Sequence, residues 1–569
     1  MTLRPVAIVA FGAIPFMAVT PAAQDTPRSQ RLATLSRHLA DIRAFYEGLP
    51  DADRRIFSSG AQHLFAVAKA LDQLESRVGQ DDVSQARLRG LLQSELHRPS
   101  MSSDQVSNPA TDFVLSQASG FTQSETSTAW CGDIVVVGYN DSGSVLETLV
   151  FGTGGLSFNG VARSTNRGVT FTDLLFPEPG PVINFLGGDP VVTCTSSTTF
   201  YYSSLLSRPG SSGIAVSRST NGGLTWEAPV PSVLKPAPAH FLDKSWMAAD
   251  PTSPNRLFVT YTDFDNSGTS MGCPGVGRVA IEFVRSLDGG ITWDAPRVID
   301  EVCRGPMISF PFVQGSQVAV GPAGEVHVAW ERYDDFNPAT SSDSIDREIR
   351  IRTSVDQGNT FAVFTKVADV FPSGDSFALR GGFRAFIDLQ GVAIDRSASP
   401  SRGDVYLAFH DGGAVTIPDV GSDTGVYGFA DAMVIRSSDG GATWTAPVRV
   451  NDNIEVGFGT DQYMPGVAVD RTGRVASCFY DRRRDPANFL VDRFCAVSTD
   501  RGETWANQRE TMRSFLPIHA TDGIVNPVYM GDYDTLTGEF MLDVDGFVGA
   551  YSVIGPIANP DVKSTRLRP

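Results

Sequence analysis

One eight-residue pattern returns six times in this chain, and few folds can repeat so specific a turn. Ser-x-Asp/Asn-x-Gly-x-Thr-Trp/Phe is found at residues 164–171, 219–226, 286–293, 354–361, 437–444 and 498–505. The Asp or Asn accepts hydrogen bonds from its own turn backbone, Gly takes a positive φ at no steric cost, and Thr re-enters a strand. The closing Trp or Phe adds a large apolar plug that fixes the turn against the body of the fold. From Ser to Ser the copies are 55, 67, 68, 83 and 61 residues apart, so one supersecondary unit is being repeated. The 569 residues would ordinarily suggest three or four domains, but radial repetition lets one domain grow this large. With 41% apolar residues, 55 Gly and 35 Pro, the composition suits a turn-rich all-β protein. A net charge of −18 argues against nucleic acid or an anionic membrane as partner.

A second repeat runs beside the first. Ile134–Tyr139, Arg256–Tyr261, Glu325–Trp330, Asp404–Phe409 and Arg474–Tyr480 are apolar strands ending in an aromatic; Thr199–Tyr202 is a looser copy, and Gly546–Tyr551 is a seventh with no turn motif after it. The turn motif resembles the Asp-box, or BNR, repeat of the sialidase superfamily, whose members are β-propellers, and the resemblance spans residues 110 to 555. Seven strands against six boxes favour seven blades, the last completed by an N-terminal strand such as Asp112 to Gln117, which would remove an exposed edge. Six blades, the number in true sialidases, is the alternative.

The remaining segments read differently. Residues 1–24 have an early Arg, the apolar run Val6 to Thr20 and a small-residue stretch before Gln24-Asp25, which reads as a cleaved signal peptide; a retained anchor is the alternative, and no later segment could span a bilayer. A secreted or periplasmic protein follows, and its six cysteines become candidates for disulfides. Cys478 lies in a strand-2 copy and Cys495 in the next strand, so antiparallel pairing would join them; Cys273–Cys303 and Cys131–Cys194 are the other expected pairs. Residues 27–98 carry a 3-to-4 apolar period, as at Leu32, Leu35, Leu39 and Ile42, and read as helices that could pack on the propeller, cover substrate or bind a protein partner. Residues 99–109 read as a linker and 556–569 as a tail.

In an up-and-down blade the boxes follow strand 3, and by resemblance to sialidases the site belongs to the opposite face. Acids recur there just past the strand-2 aromatics: Asp141, Asp263, Glu331, Asp411 and Asp481. Such carboxylates could hydrogen-bond sugar hydroxyls, act as a glycosidase acid/base pair or hold a cation, and each could equally be a turn former. Loops between blades add Asp243-Lys244, Arg304, Arg380, Arg384, His519 and Gly531-Asp532-Tyr533. The resemblance implies a Tyr nucleophile with a Glu partner, an Asp acid/base and three arginines clamping a carboxylate. It nominates Glu331, Asp411, Asp481 and Tyr533 as catalytic, with Arg332, Arg384, Arg482, Trp330 and Tyr480 binding substrate. The chain departs from the pattern in having no Arg-Ile-Pro or Arg-Leu-Pro before the first box. Asp263-Phe-Asp-Asn266 offers alternating oxygens that could hold a structural calcium, without the other EF-hand ligands; no other cofactor is implied. The expected function is binding or hydrolysis of glycans, with protein docking as the rival.

Overall fold

The computed structural model describes residues 40, 42–49, 57, 105–107, 122–150, 154–174, 177–181, 183–304, 311–334, 346–374, 378–419, 426–454, 459–517, 530–540, 544–554 and 560–568. The signal-peptide reading, most of the helical segment, Asp112 to Gln117 and His519 lie outside them. Among the described residues no helix is long and apolar enough to cross a membrane.

Each strand-2 copy pairs antiparallel with the strand before it and the strand after it, which makes a blade. Blade 3 is typical, with strands His240–Ala249, Leu257–Asp265, Gly277–Ser286 and Arg297–Arg304 in that order. The other inner strands are Gln123–Cys131, Val191–Cys194, Phe312–Val320, Leu389–Ile394, Gln462–Val469 and Leu536–Gly538. All seven line one central channel of about 200 Å³, so the molecule is a seven-bladed β-propeller. Apolar side chains of neighbouring blades pack face to face. Tyr406 and Ala408 of blade 5 meet Phe479 and Val467 of blade 6, and Trp130 and Val135 of blade 1 meet Val548 and Ala550 of blade 7. Burial at about 25 cal/mol per Å² of apolar surface is the main force holding the ring together.

The six turns share one geometry. The box Ser Oγ accepts the N–H of the Gly four residues on at 2.8–2.9 Å. The Asp or Asn Oδ1 accepts the Thr N–H at 2.8–3.0 Å. The residue before that Gly is left-handed in every copy, including Arg167, Gln357 and Arg501.

Ring closure uses residues beyond those expected to take part. Strand Phe547–Ile554 is indeed the second of blade 7, but residues 560–567, expected to be a tail, form its third strand. Gln105 bridges Lys563, and Val106 N–H donates to Val562 O at 2.9 Å, so residues of the expected linker cover that strand's edge. A bare third strand would leave a row of unpaired backbone groups, which explains the contact. All three expected disulfides are present: Cys131–Cys194 ties blades 1 and 2, Cys273–Cys303 lies in blade 3 and Cys478–Cys495 in blade 6. A helix at Ser142–Val150 interrupts blade 1, and Asp141 caps it by accepting Gly143 N–H at 2.8 Å.

Candidate active site

Each inner strand starts on the face opposite the six turns; five of them slip register near that end, one between Leu389 and Gly391 and, with a left-handed residue, four between Ser124 and Ser127, Asp243 and Trp246, Gln314 and Gln317, and Tyr463 and Gly466. At the first bulged residue the backbone is left-handed: Glu125 (φ 54°), Lys244 (51°), Gly315 (68°) and Met464 (53°), with Asp189 (53°) and Gly531 (98°) at the corresponding places in blades 2 and 7. A non-glycine residue is costly there, by about 1 kcal/mol or more. Four such residues at one level of one ring are therefore held by the surrounding structure, which is where functional strain is found.

The side chains at this level converge from several blades. Glu125 Oε1 accepts the Asp532 N–H at 3.0 Å, and its Oε2 accepts Asn140 Nδ2–H at 2.7 Å. Asn140 Oδ1 accepts the Asp189 N–H at 3.0 Å, and Asp189 Oδ2 accepts the Lys244 N–H at 3.3 Å. Lys244 Nζ lies 3.4 Å from Asp532 Oδ2 and 4.6 Å over the Tyr533 ring, which Trp246 meets edge-on at 5.4 Å. Arg384 Nε stands 3.5 Å from Asp532 Oδ1. Burial pushes the Glu125 carboxyl well above the usual range, and repulsion from Asp189 pushes it further. Burial pulls the Lys244 ammonium down, but Asp532, Glu125 and Asp189 outweigh it and leave the group above its ordinary pKa. The arrangement sets a carboxyl with a raised pKa beside two further acids and a lysine whose pKa is also raised, groups of the kind that exchange protons and stabilise charge.

Part of the expected helical segment reaches this face. Ile42, Phe45 and Leu49 are buried, and Phe57 packs against Phe241 (5.5 Å) and Phe264 (4.4 Å) while its carbonyl accepts Arg384 Nη2–H.

Of the nine residues nominated from the sequence, Tyr533 and Arg384 belong to this cluster. The others form separate networks. Glu331 accepts Tyr333 O–H and Leu389 N–H, with burial and then Asp388 raising its pKa, so its tyrosine partner is Tyr333 and not Tyr533, whose hydroxyl donates to Pro190 O at 2.9 Å. Trp330 donates to Asp300 at 2.9 Å, and Arg332 reaches Asp334 at 2.7 Å. Asp411 accepts the N–H groups of Phe371 and Gly413 as an ordinary turn former. Asp481 holds Arg483 at 2.6 Å, and Tyr480 donates to Ser552 O at 2.8 Å. Arg482 is wholly buried, 3.4 Å from Asp461 and between the rings of Phe383 and Tyr463. The Arg482 guanidinium is therefore held inside the protein, apart from Arg384 and Tyr533.

His240, Asp263 and Asp265 are grouped closely enough to hold a metal ion. Lys235 at 2.7 Å and Arg278 at 3.3 Å already neutralise Asp263, so the donor set suits an internal ion-pair network better than calcium.

Glu125 and Asp189 lie at the starts of inner strands and not beyond the strand-2 aromatics, where the repeated acids are found. Aligning the inner strands on their first apolar alternation would have put Glu125, Asp189, Lys244 and Met464 in one column.

The fold and its channel define a seven-bladed β-propeller with a charged cluster at one mouth. No family model matches the chain, and no curated protein matches it. Among solved structures it resembles an ulvan lyase, a polysaccharide lyase, at 12% identity over 83% of this chain and 96% of that one, with a TM-score of 0.45. It also resembles the α-L-arabinofuranosidase of Fusarium graminearum (12%, 67% and 93%, 0.43) and the sialidase of Trypanosoma rangeli (10%, 66% and 54%, 0.32). Superpositions this loose carry neither site nor activity across.

Proposed function

We propose that the chain is an exported glycan-active propeller of the Asp-box kind, which binds glycans at the mouth opposite the six turns and hydrolyses them by acid/base chemistry. The observation behind this reading is the buried network at the left-handed level of the ring, in which Asn140 donates to Glu125 at 2.7 Å and accepts the Asp189 N–H at 3.0 Å, with Lys244 and Asp532 alongside. Buried titratable groups with opposed neighbours at a cleft are where acids and bases of catalysis are found. In this reading Glu125 is the proton donor, Asp189 and Asp532 are the carboxylates that balance developing positive charge, and Arg384 with Trp246 orients the sugar. Three disulfides suit an oxidising compartment and accord with the signal-peptide reading of residues 1–24.

The test is a panel of fluorogenic glycosides together with a glycan array, run on wild type, Glu125→Gln and Asp189→Asn. Glu125→Gln should lower hydrolysis by about 10²- to 10⁴-fold while the melting curve stays cooperative. Unchanged glycan binding and hydrolysis in a folded Glu125→Gln protein would refute the proposal.

A further inference from the structure

The other mouth of the channel, on the face that carries the six turns, opens into a funnel of about 530 Å³. Its wall is made by ends of inner strands and the loops that follow them, including Trp130, Thr128, Thr252, Pro322, Arg396 and Phe540. Arg396 also lines the channel itself, so its side chain lies where funnel and channel meet. Its guanidinium stacks 4.6 Å over the Phe540 ring. Burial pulls its pKa down, and no carboxylate among the described residues pairs with it. The contrast with its neighbours is sharp: Arg256 in the same region is bound to Asp250, and Arg402 donates to the carbonyls of Arg396 and Ser397 at 2.7 and 2.9 Å.

The Arg396 loop is built to hold its shape. Asp395, fully buried, accepts Ser397 N–H at 2.7 Å and the hydroxyls of Ser399 and Ser401 at 3.1 and 2.6 Å. A rigid loop that presents a partly desolvated cation with no paired carboxylate is costly unless something anionic completes it. A second polar group is similarly left over. Thr128 is 6% exposed, lines both the funnel and the channel, and its Oγ1 has no hydrogen-bond partner.

We propose that this mouth is an oxyanion-binding site, in which Arg396 grips a carboxylate, sulfate or phosphate group and Thr128 donates its hydroxyl, with Phe540 holding the guanidinium plane in place. It is separate from the cluster around Glu125 and does not depend on that cluster's role. The anion's source is either a free inorganic ion or a sugar that bears the charged group, and the funnel has the volume for the latter.

The experiment titrates the full chain with sodium sulfate, sodium phosphate and sodium glucuronate against sodium chloride at matched ionic strength. Calorimetry and thermal melting read wild type, Arg396→Met and Thr128→Val. Wild type should bind at least one oxyanion saturably and melt higher with it; glucuronate preferred over sulfate and phosphate identifies a charged sugar, and the reverse a free ion. Arg396→Met should weaken that binding at least tenfold while its ligand-free melting temperature stays level or rises, because a half-buried unpaired charge has been removed. Thr128→Val should weaken binding with no loss of fold, and keeps the proposal testable if the arginine variant misfolds. Absence of saturable binding at matched ionic strength, or equal affinity in a folded Arg396→Met or Thr128→Val protein, would overturn the proposal.

Discussion

At the scale of single residues, two populations of acids titrate in opposite directions. Asp439 and Asp500 are exposed, but a threonine hydroxyl is the largest of the influences that hold each down, to about 2. Asp356 is likewise lowered, by Thr360. Their contribution is complete above an unfolded pKa of about 3.9 and is lost as pH falls toward 2. Asp481 is pushed up by burial to about 6, against Arg483, and Glu331 and Glu125 are raised as well. For these the native state holds more protons than the unfolded chain, so stability declines as pH climbs from about 4 through about 6 and beyond. The melting temperature should therefore peak in the weakly acidic range. Asp439→Asn with Asp500→Asn should flatten the acid limb only, since Asn166 and Asn221 already serve in the same turn. A calorimetric pH series in which the melting temperature rises steadily from pH 5 to 8 would contradict this. The same scale shows what the sequence hid: nothing about Glu125 read alone distinguishes it from a surface Glu, because its burial comes from a bulge and from Asp532, which is remote in sequence.

At the scale of elements, the turn motif could be read because its chemistry is local. Ser, Asp, Gly and Thr within seven residues make the turn's recurring hydrogen bonds, so the pattern and the geometry are the same information. The helix at Ser142–Val150 could not be read so easily, being short and lacking acidic residues in its first turn. Gly358 and Gly440, one at each glycine position of the turn, have different surroundings. A Cβ on Gly358 would stand 2.5 Å from the Phe283 ring, whereas one on Gly440 meets nothing within 4 Å, and Arg167, Gln357 and Arg501 fill the equivalent place in other copies. Gly358→Ala should cost about 1–3 kcal/mol and Gly440→Ala about 1 or less, measured by denaturant unfolding. Equal costs would mean that the plug of each turn is not packed as described.

At the scale of the whole molecule, seven blades could be counted from seven strand-2 copies, since each copy is one radial unit. The place of closure could not, because pairing between Gln105–Ser107 and Pro560–Leu567 has no periodic signature; it is a single contact between distant stretches of chain. Val562 is fully buried against Val106 at that seam. Val562→Asp should lower stability by about 3–5 kcal/mol and promote association through the opened edge, read by thermal melting and size-exclusion chromatography. An unchanged melting temperature would show that the seam bears no load.

The seam also sets an order of events during synthesis. Ser107 and Val562 are 455 positions apart and hydrogen-bond to one another. A ribosome that has delivered six blades still holds an open arc with raw edges at both ends, and the circle cannot shut until its last strand has emerged. Contacts of such long separation form slowly. Shutting the ring is therefore a late event, tied to one contact between stretches of chain that are far apart in sequence.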